Sequence, residues 1–290
     1  MAFTMHSHSG EFCPGHAVDT LESIIQHTIK IGYKTIGLTE HMPRTALSDL
    51  YPEELLPSPA ASLAALPPLH ASFLTTASLL QAKYASQIHV LIGFEGEWIR
   101  DGEYSSLIEE LAADERVDYF LGSLHHTKGI PIDYNKEMYA AAREECGGSE
   151  RGLWAAYYDE QWEMVRKLRP RVVGHFDLVR LMSERPGRDV QKEGEGGDEG
   201  WKEVWEKMAR NLREVRGYGG WLEVNTSALR KGLEEPYPAR GVAEVSSSFP
   251  GDGDNDGDRV LTGYRRGWRW GEGLPSRTTA MGLRRLRLTI

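Results

Sequence analysis

Lys34-Thr35-Ile36-Gly37-Leu38-Thr39-Glu40-His41 (K-T-I-G-L-T-E-H) is a short apolar run that ends on a carboxylate and an imidazole. Residues 34–38 read as a buried strand. Before them, residues 19–31 form an amphipathic helical pattern that Gly32 ends, with Asp19 as expected N-cap and Glu22 completing a capping box. The same unit then repeats. A helix over 73–86 leads to a strand over 88–94 (I-H-V-L-I-G-F) that ends at Glu95, and a helix over 104–113 leads to a strand over 117–121 that ends at Ser123-Leu124-His125. A helix over 153–168 precedes a strand over 171–174 ending at His175, and a helix over 201–215 precedes a strand over 220–224 that carries Glu223 and runs into Asn225. Strands alternating with helices of this length predict a parallel sheet. One histidine at a strand end is ordinarily a structural cap. His or Glu at four successive strand ends predicts an α/β barrel with its chemistry at one mouth.

The N-terminus adds a second pattern. His6 and His8 are one residue apart in H-S-H-S, so on an extended segment both point to the same side. Neutral imidazole nitrogens on one face offer a two-point grip on a transition metal. With His16 (C-P-G-H), His41, Glu95, His125 and His175, the pattern predicts a metallo-enzyme. His27, His70 and His89 are assigned to structure, and His126 to a neighbour or substrate contact. Cys13 is read as a small buried residue near the mouth.

The rest of the composition narrows the function. A net charge of -9 argues against a nucleic-acid partner, whose affinity rests on cations meeting phosphates, but leaves a small phosphorylated substrate open. Two cysteines, Cys13 and Cys146, are too few for a disulfide scaffold and predict a reducing, cytoplasmic setting. No signal peptide or membrane span is expected. Residues 184–200 are acidic and Gly-rich and are expected to be a disordered insertion. The acidic run Asp252, Asp254, Asp256, Gly257 imitates a calcium loop, but Gly263 stands where a bidentate Glu is required.

H-S-H-S, C-P-G-H-A, T-E-H, G-F-E-G, G-S-L-H-H, G-H-F-D-L-V-R and E-V-N-T-S-A-L-R-K-G occur in this order. On these motifs the chain resembles the PHP (polymerase and histidinol phosphatase) superfamily, over residues 1–238. The resemblance implies a distorted seven-stranded (β/α) barrel, up to three divalent ions (Zn, Fe or Mn), and hydrolysis of L-histidinol phosphate in histidine biosynthesis. It implies that His6, His8 and Glu95 hold the first metal, and that Glu95 bridges to a second completed by His125 and His175. His16 and His41 match the pair for the third. Glu95, His125 and His175 are the expected catalytic set. Asn225 and Arg230 match the segment that lines the substrate pocket, and Arg180 is the expected phosphate contact. Glu40 and Asp177 are expected to orient neighbouring imidazoles.

The family closes its site with a late Asp-x-His, whereas no histidine follows His175 here. Residues 239–290 are therefore expected to be an atypical, disordered tail on a barrel incomplete at that end. Two other readings stand beside the phosphomonoesterase: another PHP-type phosphoesterase, and a remnant with impaired turnover.

Overall fold

In the computed structural model residues 2–55 and 58–248 are described, and the acidic run at 252–258 lies outside them. The chain divides into two compact units. Among the described residues the first comprises 2–55, 58–97 and Ser106–Leu121, the second Trp98–Ser105 and 122–248.

In the first unit β1 (Phe3–Thr4) leads through the histidine segment to α1 (Leu21–Lys30) and β2 (Thr35–His41). Then come α2 (Pro59–Tyr84), β3 (His89–Glu97), α3 (Glu103–Ala112) and β4 (Tyr119–Ser123), in sheet order β1-β2-β3-β4. The β1–β2 and β2–β3 pairings are parallel, as the alternation predicts. Ile36 and Leu38 of β2 and Val90 and Ile92 of β3 pack with Leu21, Ile24 and Ile25 of α1 and Phe73, Leu74 and Ala77 of α2. Truncating any of the larger ones to Ala costs about 2–5 kcal/mol. Gly37 is required by close approach: a Cβ there would lie 1.9 Å from the Tyr119 hydroxyl, which donates to the Met5 carbonyl at 2.5 Å. That contact holds the histidine segment against the sheet.

Two local expectations change. The cap of α1 is Thr20, accepting from Ser23 N–H at 3.2 Å, because the Asp19 carbonyl is bound by Gly10 N–H at 2.8 Å. Glu22 completes no capping box and instead meets Lys83 Nζ at 2.6 Å. Helix α2 begins at Pro59, capped by Ser58, well before residue 73, and carries Pro67 and Pro68 inside it. Among the described residues α2 is long and apolar enough to cross a membrane by length and composition, contrary to the sequence expectation. Its buried residues Phe73, Leu74, Ala77 and Leu80 belong to the core of the first unit, although only 28% of the apolar stretch is buried.

His70 on α2 is buried against Phe73 and Phe94, and neither ring nitrogen has a hydrogen-bond partner. Burial lowers its pKa from 6.5 to about 4. The folded state therefore favours the neutral ring. Its stabilisation is complete above pH 6.5 and is lost as pH falls towards 4, on the order of 3 kcal/mol. His70→Leu is expected to flatten the fall in unfolding free energy between pH 6.5 and 4 in denaturant titrations. An unchanged slope would contradict the assignment.

In the second unit the last residues of β4 are followed by the hairpin β5 (His126–Thr127) and β6 (Ile130–Pro131) and by helices α4 (Lys136–Glu145) and α5 (Glu150–Leu168). The remaining elements are β7 (Val172–Val173), α6 (Val190–Glu195), α7 (Glu199–Gly217), β8 (Trp221–Leu222), α8 (Ser227–Arg230) and α9 (Arg240–Ser248). The strand order is β4-β7-β8, and β7 and β8 are parallel. Tyr157, Tyr158, Met164 and Val165 of α5 share a core with Val204, Met208 and Leu212 of α7, and Trp154 meets Trp201 edge-on at 5.4 Å.

Residues 184–200 are not the structureless insertion expected. Asp189 caps α6, Val190 is buried, and Asp198 caps α7 by accepting from Gly200 and Trp201 N–H. Nor does the ordered chain stop at Pro238. Helix α9 buries Val242 and Ala243, and Ser246 O accepts from Arg216 of α7 at 3.3 Å. Two small apolar residues and a serine were too thin a pattern to show this in the sequence.

Candidate metal centre

In the first unit the histidine segment behaves as its period-two pattern predicts. Ser7 turns to the sheet, donating through N–H to Thr39 Oγ1 (3.0 Å) and through Oγ to Gly37 O (2.7 Å). His6 and His8 therefore share the other side, with Nε2 atoms 2.8 Å apart and rings essentially fully buried. The parallel register of β2 and β3 sets His41 directly opposite Glu95. The result converges on one atom: Glu95 Oε2 lies 3.2 Å from His6 Nε2, 3.1 Å from His8 Nε2 and 3.3 Å from His41 Nδ1. His16 arrives on the turn Cys13-Pro14-Gly15-His16, where Gly15 has φ +93° and His16 N–H donates to Cys13 O. Its Nδ1 is 3.3 Å from His41 Nε2.

Two carboxylates surround this set. Glu40 Oε1 accepts from Ser9 N–H (2.8 Å) and Ser9 Oγ (2.6 Å), while Oε2 faces His8 Nδ1 at 3.7 Å. At that distance Glu40 makes no hydrogen bond to the imidazole it was expected to orient. Glu97, fully buried, was missed by the sequence reading. It contacts His41 Nδ1 and pairs with Arg44 Nη2 at 3.0 Å. The signal was present in G-F-E-G-E, since Glu97 lies two residues past Glu95 and so on the same face of β3. Burial holds the His41 imidazole well below its usual pKa, against the pull of Glu97 and Glu95. The ring is neutral at pH 7 and keeps a lone pair for a metal.

These residues fit divalent metal. His6, His8 and Glu95 present donor atoms all within 4.8 Å of one another, as do His8, Cys13 and His41. His8 Nδ1 and Glu40 Oε2 are buried and make no hydrogen bond. A cation among imidazole lone pairs and a buried carboxylate offsets desolvation that is otherwise costly.

In the second unit His125 and His175 turn their Nε2 atoms towards each other at 3.1 Å, both buried. His175 has φ +21°, an uncommon backbone state for this residue type. It is held there by Glu223 Oε2, which accepts His175 N–H at 2.7 Å. Glu223 Oε1 accepts from Asn225 Nδ2 (2.9 Å), and Asn225 Oδ1 accepts from Ser227 N–H (2.8 Å). The Asn225 amide thus links Glu223, which holds His175, to the start of the segment Ser227–Arg230. Asp177 does not orient an imidazole: its Oδ2 meets Arg180 Nε at 3.1 Å and accepts Ala239 N–H at 2.8 Å. Arg180 is buried, and its Nη2 donates to the carbonyls of Glu235 (2.8 Å) and Pro236 (2.5 Å). Arg230 lies exposed at the end of α8.

The PHP domain family matches residues 4–227. A probable histidinol-phosphatase of Schizosaccharomyces pombe is 38% identical over 84% of this chain and 76% of its own length. The histidinol-phosphatase of Saccharomyces cerevisiae is 32% identical over 83% of this chain and 77% of its own. Among solved structures, a putative histidinol phosphatase of Listeria monocytogenes superposes with a TM-score of 0.67 at 24% identity, covering 85% of this chain and 90% of that one. A Lactococcus lactis histidinol phosphate phosphatase, complexed with zinc, L-histidinol and phosphate, superposes at 0.51 and 18% identity, over 76% and 71%. Seven ordered motifs, strand ends that carry imidazole and carboxylate, and relatives spanning most of the chain agree: the chain belongs to the PHP domain family, and its kinship there is with the histidinol-phosphatases.

Proposed function

We propose that this protein hydrolyses L-histidinol phosphate to L-histidinol and phosphate with divalent metal held by these residues. The observation that carries the reading is the convergence of three imidazole nitrogens within about 3.3 Å of a single oxygen of the buried Glu95. The names of the fungal relatives point to the substrate. His6, His8 and Glu95 would hold the first metal, and His41 with His16 another in the same unit. His125 and His175 are the metal donors of the second unit. Imidazole-rich donors with a carboxylate suit Zn, Fe or Mn better than Mg.

Bound metal supplies a nucleophile at neutral pH and neutralises phosphoryl charge. The chain's own residues do the positioning. Glu95 supplies the negative charge that gathers cations. Glu97 contacts His41 Nδ1, which leaves Nε2, turned towards His16, as the atom that binds metal. Glu40 Oε2 lies 3.7 Å from His8 Nδ1, too far for a hydrogen bond, and adds negative charge on that side of the ring. Glu223 holds the strained backbone of His175. For the substrate we propose Asn225, Arg230 and Arg180. Arg180 would act from a guanidinium already anchored by Asp177 and two carbonyls, so it would meet the phosphate in a fixed direction.

The experiment is phosphate release from L-histidinol phosphate, compared with nucleoside monophosphates and a phosphodiester, with and without a strong chelator. Release from histidinol phosphate that exceeds the others and is abolished by the chelator is expected. Preferential cleavage of the diester would favour the other PHP-type phosphoesterase reading.

A further inference from the structure

We propose that Cys13 is a metal ligand: its thiolate joins His41 in the first unit, on the side of the cluster that His8 closes. The sequence reading gave Cys13 to packing, because no second cysteine stands at metal-ligand spacing. The structure places it differently. Cys13 Sγ lies within 4.8 Å of a ring nitrogen of His8 and one of His41, with which it forms a metal-competent group. The thiol is buried, 7% exposed, so its nearness is not that of a loose surface side chain.

The backbone presents it on purpose-built geometry. Cys13 N–H donates to Ser9 O at 3.0 Å, and Cys13 O accepts from His16 N–H at 3.2 Å. The turn is thus tied at one end to the segment bearing His8 and at the other to His16, with Gly15 supplying the positive φ it needs. A second, independent observation also points to a ligand. His8 Nδ1 is fully buried and makes no hydrogen bond among the described residues. A buried imidazole nitrogen left in this state, on a ring that belongs to the Cys13 group, costs free energy that a bound cation would recover.

The chemistry differs from that of the His/Glu group on Glu95. Thiolate is a soft donor and selects Zn over Mg or Ca, and coordination deprotonates the thiol outright. It would also supply a donor in a chain that has no histidine after His175.

This inference rests on the metal-centre reading of the first unit, and cobalt separates the two. The full chain, stripped and reloaded with Co(II), is expected to show a near-ultraviolet thiolate-to-cobalt charge-transfer band alongside its visible bands. Cys13→Ser should lose the ultraviolet band while keeping visible bands from cobalt on the His/Glu group, and Cys146→Ser should keep both. A thiol-modifying disulfide reagent gives a readout independent of any variant's folding. Zinc should protect one of the two cysteines of the unmodified chain, mapped to Cys13, and leave Cys146 reactive. Cobalt bound without the ultraviolet band, or zinc that fails to shield Cys13, would overturn the ligand role alone. Failure to bind cobalt at all would instead remove the metal centre.

Discussion

Glu95→Gln is expected to abolish histidinol phosphate hydrolysis and to weaken metal retention. The substitution preserves size and leaves the β2–β3 register intact, so the fold should survive. What it removes is negative charge at Oε2, the atom that His6, His8 and His41 all approach within about 3.3 Å. An amide cannot gather cations as a carboxylate does, and a divalent ion among neutral imidazoles would then lack its charged donor. The loss of kcat relative to the parent should exceed tenfold, more than about 1.4 kcal/mol of barrier. Retention of over a tenth of the parent kcat, with unchanged metal content, would contradict the central role of Glu95.

The second large effect concerns the closing motif. Residues 176–290 contain no histidine, so they do not supply the Asp-x-His that the family resemblance implies. Strand β8 pairs with β7 on one side and with no strand on its other side among the described residues, which leaves a sheet edge. Replacing 249–290 with a terminal strand bearing Asp-x-His is expected to raise turnover by orders of magnitude. The same graft with both ligands as Ala restores packing without coordination and separates the two contributions. Turnover already at about 1 to 10³ per second without the graft, a range typical of enzymes, would show that the closing donors are dispensable here.

Much of this was legible in the sequence because the signals are local. The apolar run 34–38 closing on Glu40-His41 needs only one strand to be read, and β2 delivers both side chains as expected. The H-x-H pair follows from period-two alternation, with Ser7 serving the sheet between them. Glu97 was equally legible by that rule and was passed over for its neighbour. Contacts distant in sequence were not legible. Arg180 is fixed by the carbonyls of Glu235 and Pro236, and the strained His175 by Glu223, partners that no motif spacing links. Composition misled at 184–200 and after Pro238. A Gly-rich acidic segment still folds when Asp189 and Asp198 cap two helices, and α9 holds through buried Val242 and Ala243 with partly buried Val245 beside them.

The most direct test of the account is the metal content of the purified, folded chain after extended dialysis against metal-free buffer, read by elemental analysis. A tightly held divalent transition metal, zinc foremost, is the predicted result, falling when His6 and His8 are both changed to Ala. A folded chain that carries no such metal and takes none up from excess zinc would contradict it.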